Sequence, residues 1–428
     1  MSKRTLIHDC ALILTDQVLP RGWLLVEGER IGAFGAGVPP THVTADQRLA
    51  AEGRALLPGF LNAHTHLEQS FMRGFASGRP LLEWLRNAIW KLQAAMDAED
   101  IRLAVTLGLV EALRGGATHI VQHHKVVQPG VVLALAEQFG VRLTLARAWA
   151  DRGAEAEPAE RILADLRELF ATWHGRGDGR IRIANGPLAP WRCSAETLQR
   201  SAALARQHGA VTHCHMNETQ HEVALTMQEH GLRPIEWFDA LGILGEDFQA
   251  VHSVWLSDGE IQRLAQRRAT VVHCPAANMI LASGCAPVVR LRRDGVRVTL
   301  ATDGPASNDG QDMFEMMHLA TLLQRVHTLD PAALNPREAL EMAWGTHHLQ
   351  VGAPADLVLV NTNSARIQPV HNWHAALVHN VRQCDVETVM VAGQLLIHKG
   401  RVLFLDEAAL LAECRERAHH LLRRAGLN

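Results

Sequence analysis

The middle of the chain alternates between short apolar runs and amphipathic stretches of helical length. Eight such runs lie between residues 55 and 304. They are ALLPGFLNAHTH, ATHIVQHH, VRLTLARAW, IRIANGPLAP, AVTHCHMNE, FQAVHSVW, ATVVHCPA and RVTLATDG. Strands that alternate with helices form parallel sheets, and eight is the number that closes a (β/α)8 barrel. The alternation therefore predicts an α/β fold of the TIM-barrel class.

An open, doubly wound parallel sheet is the alternative that the same alternation allows. Such sheets usually have fewer strands, and they often carry a glycine-rich loop that binds phosphate. Neither GxGxxG nor GxxxxGK[ST] occurs in this chain. The closed barrel is therefore the predicted architecture for the middle of the chain.

Both ends of the chain differ in character from its middle. The first 55 residues contain strand-like runs such as RTLIHDCALILT and GWLLVEGERIGAFGAG, separated by turn residues. The same style returns near the other end in ADLVLVNT and VETVMVAGQLLIHKGRVL. We therefore predict that residues 1–55 and 355–428 form one composite β-sandwich domain, with a final helix near residues 407–425. The barrel domain is predicted to span residues 56–354.

Composition argues against several classes of partner. The formal net charge of −3 gives no reason to expect nucleic acid or an acidic membrane surface. No apolar run approaches the ~20 residues that cross a bilayer, and the first residues make a poor secretory signal. The seven scattered cysteines include no CxxC pair, so reduced thiols and a cytoplasmic location are expected. The 25 histidines favour a metal site without locating it.

Two histidines separated by one residue end the first barrel run, in the segment PGFLNAHTH. Because side chains alternate across a strand, His64 and His66 are predicted to point into the barrel at its C-terminal rim, where active sites of this fold lie. Later runs end in polar residues in the same way, namely His215, His252, His273 and Asp303. Buried polar groups without partners are costly, and a shared metal ion explains why these groups gather at one rim.

Three imidazoles and one carboxylate suit a catalytic metal site. The predicted ligands are His64, His66, His215 and Asp303. Four protein ligands of this kind leave a position open for water, which distinguishes a catalytic site from a closed structural one. One divalent metal is expected. Zn²⁺ is the preferred ion, and Fe²⁺ is compatible with the same ligands.

Five segments together resemble the amidohydrolase superfamily, in the branch of cytosine, guanine and S-adenosylhomocysteine deaminases and triazine hydrolases. They are PGFLNAHTH (58–66), HCHMNET (213–219), AVHSVWLSDGEI (250–261), HCPAANMILASGCAPV (273–288) and ATDGPASN (301–308). The resemblance covers nearly the whole chain and implies a barrel with a composite β domain. It also implies one metal on the four ligands just named, a catalytic acid/base at Glu218 and a histidine beside the metal site at His252. The fourth run, IRIANGPLAP, lacks the bridging lysine of two-metal relatives, which favours a single metal.

The resemblance implies a hydrolytic reaction in which metal-activated water attacks an sp² ring carbon. Glu218 lies three residues past His215 and would protonate a ring nitrogen. Asp303 would take a proton from the water as well as bind the metal, and His252 would hydrogen-bond the attacking oxygen. Taken alone, each residue has a simpler interpretation: a solvated loop carboxylate, an aspartate in the turn TDGP and a core histidine.

Six residues are candidates for the substrate pocket: Gln69, Trp84, His123, Arg147, Trp191 and His273. The amide of Gln69 can donate and accept hydrogen bonds, which suits a heterocycle edge, and relatives of the guanine-deaminase type carry a glutamine there. Trp84 could stack on a planar ring or pack in the core. Arg147 matches a position that contacts an anionic tail in some S-adenosylhomocysteine deaminases, or it forms an internal ion pair. His213 lies one barrel layer deeper than His215 and is predicted to be structural.

Two positions depart from the nucleoside-deaminase pattern. Leu188 in GPLAPW stands where those enzymes usually have a ribose-binding histidine. Leu82 stands where they often have a ribose-binding glutamate. The loss of both polar contacts favours a free base, a pterin-like ring or a triazine over a nucleoside.

The predicted function is hydrolytic deamination of an amino-substituted nitrogen heterocycle of the purine, pterin, pyrimidine or triazine type. Within the superfamily, the alternatives are a triazine-type hydrolase that releases an alkylamine or halide, and a nucleoside deaminase of the S-adenosylhomocysteine or adenosine type. A non-catalytic barrel scaffold is the alternative from another class, and the four intact ligand positions disfavour it. The expected binding partner is a small-molecule substrate. The resemblance also implies a homo-oligomer, either a dimer or a larger assembly.

Overall fold

The structure is a computed structural model, and it describes residues 3–75, 78–124, 128–153 and 155–427. Its strands fall into two sheets. In chain order they are β1 (Arg4–Ile13), β2 (Val18–Glu27), β3 (Arg30–Ala36), β4 (Gln47–Ala50), β5 (Arg54–Pro58), β6 (Phe60–Thr65), β7 (Ala117–His124), β8 (Arg142–Trp149), β9 (Ile181–Pro187), β10 (Thr212–Met216), β11 (Phe248–His252), β12 (Thr270–His273), β13 (Arg297–Leu300), β14 (Leu357–Asn361), β15 (Val386–Val391), β16 (Gln394–His398) and β17 (Arg401–Val402).

Strands β6 to β13 follow one another around a nearly closed parallel barrel. At the remaining seam, β13 lies beside β6. There the amide of Asp303 donates to the carbonyl oxygen of His64 at 3.0 Å. The amide of Thr302 donates to the side-chain oxygen of Asn62, also at 3.0 Å. The predicted eight-stranded barrel is confirmed, and one barrel strand lies within each of the eight predicted runs.

Helices connect the barrel strands and cover the barrel from outside. The helix Ala159–Trp173 shows why: its buried side chains, among them Ile162, Leu166 and Leu169, recur at helical spacing on one face. The α-helices are Leu81–Trp84, Trp90–Ala95, Ala98–Arg114, Pro129–Phe139, Ala159–Trp173, Ala195–Gln207, Gln220–His230, Pro234–Ala240, Asp258–Gln266, Pro275–Ile280, Val288–Arg293, Pro305–Asn308, Met313–Thr328, Pro336–Trp344, Trp373–Ala375 and Glu407–Arg424. Shorter 3₁₀ and π turns span Leu67–Phe71, Leu85–Ile89, Pro190–Arg192, Ala376–Asn380 and Gln383–Asp385. Within the described ranges, no helix has the length and apolar character needed to span a membrane.

The first predicted apolar run is divided between the two sheets at Gly59. Strand β5 before it pairs with β14, whereas β6 after it pairs with β7 in the barrel. A β-carbon on Gly59 would lie 2.1 Å from the hydroxyl oxygen of Thr118, so only glycine fits where the sheets meet. The predicted domain boundary after residue 55 therefore falls inside β5, and the division into two domains stays a prediction.

The second sheet combines strands from both ends of the chain, as predicted. Its order is β17-β16-β15-β14-β5-β1-β2-β3, and β4 pairs with β1. The strands assigned to the predicted sandwich belong to one continuous mixed sheet, because β5 is hydrogen-bonded to β1 on one side and to β14 on the other. The final helix, Glu407–Arg424, matches its prediction and packs on the barrel helix Ala98–Arg114, where Arg417 donates to Asp100 at 2.9 Å. All seven cysteines are free thiols.

Candidate active site

The four predicted metal ligands meet at the C-terminal rim of the barrel. His64 lies in β6 and His66 directly follows it, His215 lies in β10, and Asp303 follows β13. The Nε2 atoms of His64 and His66 lie 3.3 and 3.5 Å from Oδ1 of Asp303. The ring centroids of His64 and His215 are 4.9 Å apart. Residues far apart in the sequence therefore present four potential ligands to one small volume.

Hydrogen bonds to backbone carbonyl groups determine where two of these imidazoles carry their protons. His66 Nδ1 lies 2.7 Å from the carbonyl oxygen of His123, and His215 Nδ1 lies 2.6 Å from that of Leu188. A carbonyl oxygen only accepts, so both Nδ1 atoms donate, and each Nε2 keeps a lone pair when its ring is neutral. Burial, followed by the neighbouring imidazoles, lowers the pKa of His215 to about 3. That ring is therefore neutral near pH 7.

A further histidine fixes the orientation of His64. His64 Nδ1 lies 2.8 Å from His213 Nε2, and His213 Nδ1 lies 2.7 Å from Oε1 of Gln249. Since the amide oxygen accepts, His213 donates to Gln249 and accepts from His64, which leaves the Nε2 lone pair of His64 free. That Nε2 is buried and has no hydrogen-bond partner within the described residues. His213, predicted to be structural and one barrel layer deeper than His215, supports the predicted ligand His64 from below.

The carboxylate of Asp303 is held from its own loop. The residue has a left-handed backbone, with φ of 61°. Its Oδ1 accepts from the amide of Gly304 at 2.7 Å, and its Oδ2 accepts from the hydroxyl of Ser307 at 2.9 Å. The side chain of Gln311 donates to its backbone carbonyl oxygen at 2.9 Å. The turn TDGP thus gives this aspartate a fixed orientation towards the imidazoles.

Glu218 is a buried carboxyl group close to the predicted ligands. Its Oε1 accepts from the hydroxyl of Ser283 at 3.2 Å. Burial, and next the charge of Asp303, raises the pKa of Glu218 to about 8. The group therefore holds a proton near pH 7 and can act as an acid, which is the state that its predicted role requires.

His252 stands next to Glu218, as the resemblance implied. Its Nε2 lies 3.5 Å from Oε2 of Glu218, and its Nδ1 lies 2.9 Å from Oδ1 of Asn278. The amide oxygen accepts, so the Nε2 of a neutral His252 presents a lone pair to the Glu218 carboxyl group. Sequence reasoning missed Asn278 and Ser283. Both are polar residues inside the otherwise apolar stretch AANMILASG, which was the signal that could have identified them.

A cavity that opens to solvent contacts this cluster. The predicted residues that line it are His66, Gln69, Trp84, Trp191, His215, Glu218, His252 and Asp303. Most of the remaining wall is apolar, with three polar members: it consists of Leu81, Leu85, Ile89, Trp90, Gln93, Leu188, Ala189, Arg192, Glu222 and Leu281. The indole N–H of Trp84 and one amide atom, Oε1 of Gln69, are buried and have no hydrogen-bond partner in the described part of the chain. Both residues line the cavity, but these two atoms are themselves closed to solvent.

Three of the predicted substrate residues do not line this cavity. Arg147 donates to Glu157 at 2.8 and 2.6 Å and to Asp165 at 2.6 Å, which is the internal ion pair considered as its alternative. His273 is fully buried, and burial lowers its pKa to about 3. The third, His123, lies with the ligands: His64, His66, His123 and His215 each offer one ligand atom, all within 4.8 Å of one another.

These residues fit a divalent metal. Neutral imidazoles and a carboxylate are the donors that Zn²⁺ and related ions prefer in catalytic sites. The buried Nε2 of His64 has no hydrogen-bond partner within the described residues. A metal bound there would give this atom a partner and remove the cost of burying it unpaired. The side chains of the predicted ligands are oriented by their own hydrogen bonds, as is usual for such sites.

The raised pKa of Glu218 leads to a prediction about stability. The unfolded chain ionises this group near its ordinary pKa of 4.5, whereas the folded chain keeps it protonated up to about pH 8. The contribution of Glu218 to the free energy of unfolding is thus fully present below pH 4.5 and is lost as the pH rises to about 8. Between these two pH values the loss is roughly 1.4 kcal/mol for each pH unit. We expect the metal-free wild type to lose stability over this range relative to Glu218→Gln.

Urea unfolding of the two metal-free proteins across this pH range measures the difference. Glu416→Gln, a change at an exposed glutamate of the last helix, serves as the matched control and should follow the wild type. A constant stability difference between wild type and Glu218→Gln at all pH values would show that the pKa of Glu218 is not raised.

Comparisons with known proteins agree with this geometry. The model of the amidohydrolase family matches residues 55–396. The 5'-deoxyadenosine deaminase of Methanothermobacter thermautotrophicus is 37% identical over 407 residues, which cover 92% of this chain and 93% of that protein. The 5-methylthioadenosine/S-adenosylhomocysteine deaminase of Syntrophomonas wolfei is 34% identical over 420 residues, which cover 95% of this chain and 96% of that protein.

Two solved structures share the fold over nearly the whole chain. An adenosine deaminase from Xanthomonas campestris with bound zinc superposes with a TM-score of 0.92 and is 30% identical, covering 97% of this chain and 98% of the other. An atrazine chlorohydrolase from Arthrobacter aurescens complexed with zinc superposes with a TM-score of 0.90, covering 97% and 100%. At 23% identity, the second comparison bears on the fold alone.

Proposed function

The chain belongs to the amidohydrolase family, and from this premise we propose that it is a metal-dependent deaminase. It hydrolyses the bond between a ring carbon and an exocyclic amine in an amino-substituted nitrogen heterocycle. One observation carries the proposal: the free donor atoms of three histidines and Asp303 converge beside Glu218, a carboxyl group that keeps its proton near pH 7. The second predicted activity, release of an alkylamine or halide from a triazine, needs the same residues.

The metal would be held by Nε2 of His64, His66 and His215 and by Oδ1 of Asp303. We propose Zn²⁺, since the Xanthomonas campestris structure contains bound zinc. When bound, such an ion acts as a Lewis acid and lowers the pKa of water. The chain's own contribution is to orient the donors, through His213 for one imidazole and through backbone carbonyl groups for two others.

The proton movements can be assigned to groups of this chain. The protonated carboxyl group of Glu218 gives its proton to a ring nitrogen as the carbon beside it is attacked. The carboxylate of Asp303 takes a proton from water, and the hydroxyl of Ser307 supports the resulting acid at Oδ2. His252 presents the Nε2 lone pair 3.5 Å from the Glu218 carboxyl group and accepts a hydrogen bond from the hydroxyl of the attacking oxygen. Asp303 then passes its proton to the leaving amine, and the hydroxyl on the attacked carbon returns its proton to Glu218 as the carbonyl group forms. Water is added, ammonia leaves, and both carboxyl groups recover their starting state.

The cavity wall suits a flat, largely apolar substrate. Trp84 and Trp191 offer aromatic faces, and leucines occupy much of the remaining surface. Gln69 lines the same cavity, and its amide group suits hydrogen bonding to the edge of the ring. An apolar enclosure also strengthens the electrostatic interactions at the reacting carbon.

The first candidate substrate is an adenine nucleoside without a 5'-hydroxyl group. The relatives that are 34% and 37% identical carry the names of enzymes for 5'-deoxyadenosine and for 5-methylthioadenosine or S-adenosylhomocysteine. An apolar wall accepts a methyl or thioether group more readily than a hydroxyl group that would lose its water. The second candidate is a free base, pterin or triazine. It is favoured by Leu188, which lines the cavity where nucleoside deaminases usually carry a histidine.

Ammonia release from purified, zinc-loaded protein tests the proposal. The substrates are 5'-deoxyadenosine, adenosine, adenine, guanine, an amino-substituted pterin and an aminotriazine. Glu218→Gln is the control for contaminating activity. We expect kcat/KM to be at least about tenfold higher for 5'-deoxyadenosine than for adenosine, because the 5'-hydroxyl would be buried unpaired. A preference for a free ring would support the second candidate instead. Activity on none of these compounds would contradict the proposed function.

Three predictions from the sequence remain proposals. The small-molecule partner follows from the relatives, whereas a homo-oligomer rests on the family resemblance. The cytoplasmic location rests on the composition of the chain. Size-exclusion chromatography with light scattering would measure the assembly directly.

A further inference from the structure

Arg192 is the one arginine or lysine among the described residues that line the active-site cavity. The residue is only 4% exposed, and the cavity wall around it is mostly apolar. Removing a charged group from water is costly unless other groups compensate for it. An arginine at this place therefore indicates a function that an apolar side chain would not perform.

Two indole rings contact the guanidinium group of Arg192. Its central carbon, Cζ, lies 5.5 Å from the ring centroid of Trp90 and 5.4 Å from that of Trp191. A cation within about 6 Å of the face of a tryptophan is attracted by the negative charge of that face. Both indoles are partly exposed, and both line the cavity. One cation is thus shared by two aromatic groups of the cavity wall.

The two tryptophans come from different segments of the barrel rim. Trp191 lies in the 3₁₀ turn Pro190–Arg192, which follows strand β9. Trp90 begins the helix Trp90–Ala95, which lies between strands β6 and β7. Arg192 therefore connects two segments of the cavity wall that are far apart in the chain.

Hydrogen bonds fix the side of this connection that follows β9. Nε of Arg192 donates to the carbonyl oxygen of Arg152 at 3.0 Å, and the amide of Arg152 donates to the carbonyl oxygen of Arg192 at 3.2 Å. The indole N–H of Trp191 donates to Oε1 of Glu222 at 3.2 Å. The guanidinium group and one of its two indoles are therefore oriented by neighbouring residues.

The helix Trp90–Ala95 is held differently. Leu92 anchors it in the apolar core, whereas Trp90 and Gln93 line the cavity. The amide of Gln93 donates to Oε1 of Glu68 at 3.4 Å, which is long for a hydrogen bond. On the cavity side, the position of this helix therefore depends on further contacts, and the stacking of Trp90 on Arg192 is one of them.

We propose that Arg192 is a positioning residue that sets the specificity of the cavity, because it holds the indoles of Trp90 and Trp191 in place for a flat ring. The inference rests on the proposed function and names the residue that shapes the cavity for the heterocycle. Aromatic faces that are already fixed reduce the cost of ordering the site when a substrate binds. Loss of Arg192 should therefore weaken substrate binding and leave the chemical step nearly unchanged.

Kinetics and amide hydrogen exchange of the zinc-loaded protein test this role. Arg192→Leu removes the cation and keeps an apolar side chain. Arg192→Lys keeps the charge without the planar guanidinium group, and it is the second variant if the first fails to fold. Arg176→Leu is the matched control: Cζ of Arg176 lies 4.5 Å from the ring centroid of Trp173, and neither residue lines the active-site cavity.

With 5'-deoxyadenosine, we expect KM to rise about five- to thirtyfold in Arg192→Leu, the range that two cation–π contacts supply, while kcat stays within about twofold. Amide exchange in the peptide 85–95 should become faster, because the helix loses a restraint. Arg192→Lys should change both properties less, and Arg176→Leu should change neither. Because Arg192 acts through Trp90, adding Trp90→Leu to Arg192→Leu should raise KM by less than the product of the two separate effects.

A KM like that of the wild type in Arg192→Leu would overturn the inference, whatever the exchange rate. A raised KM with unchanged exchange and fully multiplicative effects would overturn it as well, because Arg192 would then contact the substrate directly. If the wild-type chain releases no ammonia from any compound of the substrate screen, the proposed function fails. Exchange needs no turnover, so an unchanged rate in Arg192→Leu would still show that Arg192 does not hold the helix Trp90–Ala95.

Discussion

Replacing Glu218 with glutamine is expected to lower kcat by about 10²–10⁴-fold while the protein keeps its metal. Glutamine has nearly the same shape and can still accept from the hydroxyl of Ser283, so the cavity should keep its form. It has no acidic proton to give to a ring nitrogen. Steady-state ammonia release and metal analysis of the same preparation measure both properties.

The matched control for this change is Glu222→Gln. Glu222 also lines the cavity, but its carboxylate accepts from Trp191 at 3.2 Å and caps the helix Gln220–His230. A glutamine oxygen can accept only one of these bonds, because Trp191 and Thr219 donate to different oxygens of Glu222. The helix cap is weakened, but no proton donor to the substrate is removed, so the loss of kcat should be much smaller than for Glu218. Turnover like that of the wild type in Glu218→Gln would remove Glu218 from the mechanism. Loss of metal in Glu218→Gln would show that Glu218 supports the metal site instead of donating a proton.

Replacing Asp303 with alanine is expected to lower both metal affinity and activity, the affinity by at least about tenfold. The substitution removes the carboxylate oxygen that lies 3.3 and 3.5 Å from two imidazole nitrogens. It also removes the group proposed to take a proton from water. Metal content after dialysis against a chelator, and kcat at saturating Zn²⁺, separate the two effects.

Ser307→Ala is the matched control for Asp303. It removes the donor to Oδ2, which lies 2.9 Å away, and leaves the carboxylate in place. We expect metal content near that of the wild type and an intermediate loss of kcat. If Asp303→Ala binds the metal with unchanged affinity, Asp303 is not a ligand, and the proposed donor set is wrong.

The periodicity of the sequence was enough to predict the barrel and to place its polar rim. Eight apolar runs, each the length of a strand, became β6 to β13, and the spacing of His64 and His66 put both rings on one side. These features depend on neighbours in the chain, which is the information that a single sequence contains.

The residues that orient the site depend on pairing between strands, and here sequence reasoning failed. His213 meets Gln249 because β10 and β11 align these two residues in register. His123 lies beside the rings of the predicted ligands, and Gly186, on another strand, leaves room for it. Periodicity predicts which strands exist but does not predict their register, so Gln249 was not among the predicted site residues.

The mixed sheet has a consequence for how the chain is made. Strand β5 pairs on one edge with β1, which leaves the ribosome before it, and on the other edge with β14, which follows about 300 residues later. Throughout translation of the barrel, that second edge has no partner from its own chain. Exposed strand edges recruit strands from other molecules, so nascent copies risk associating with each other until the last part of the polypeptide emerges.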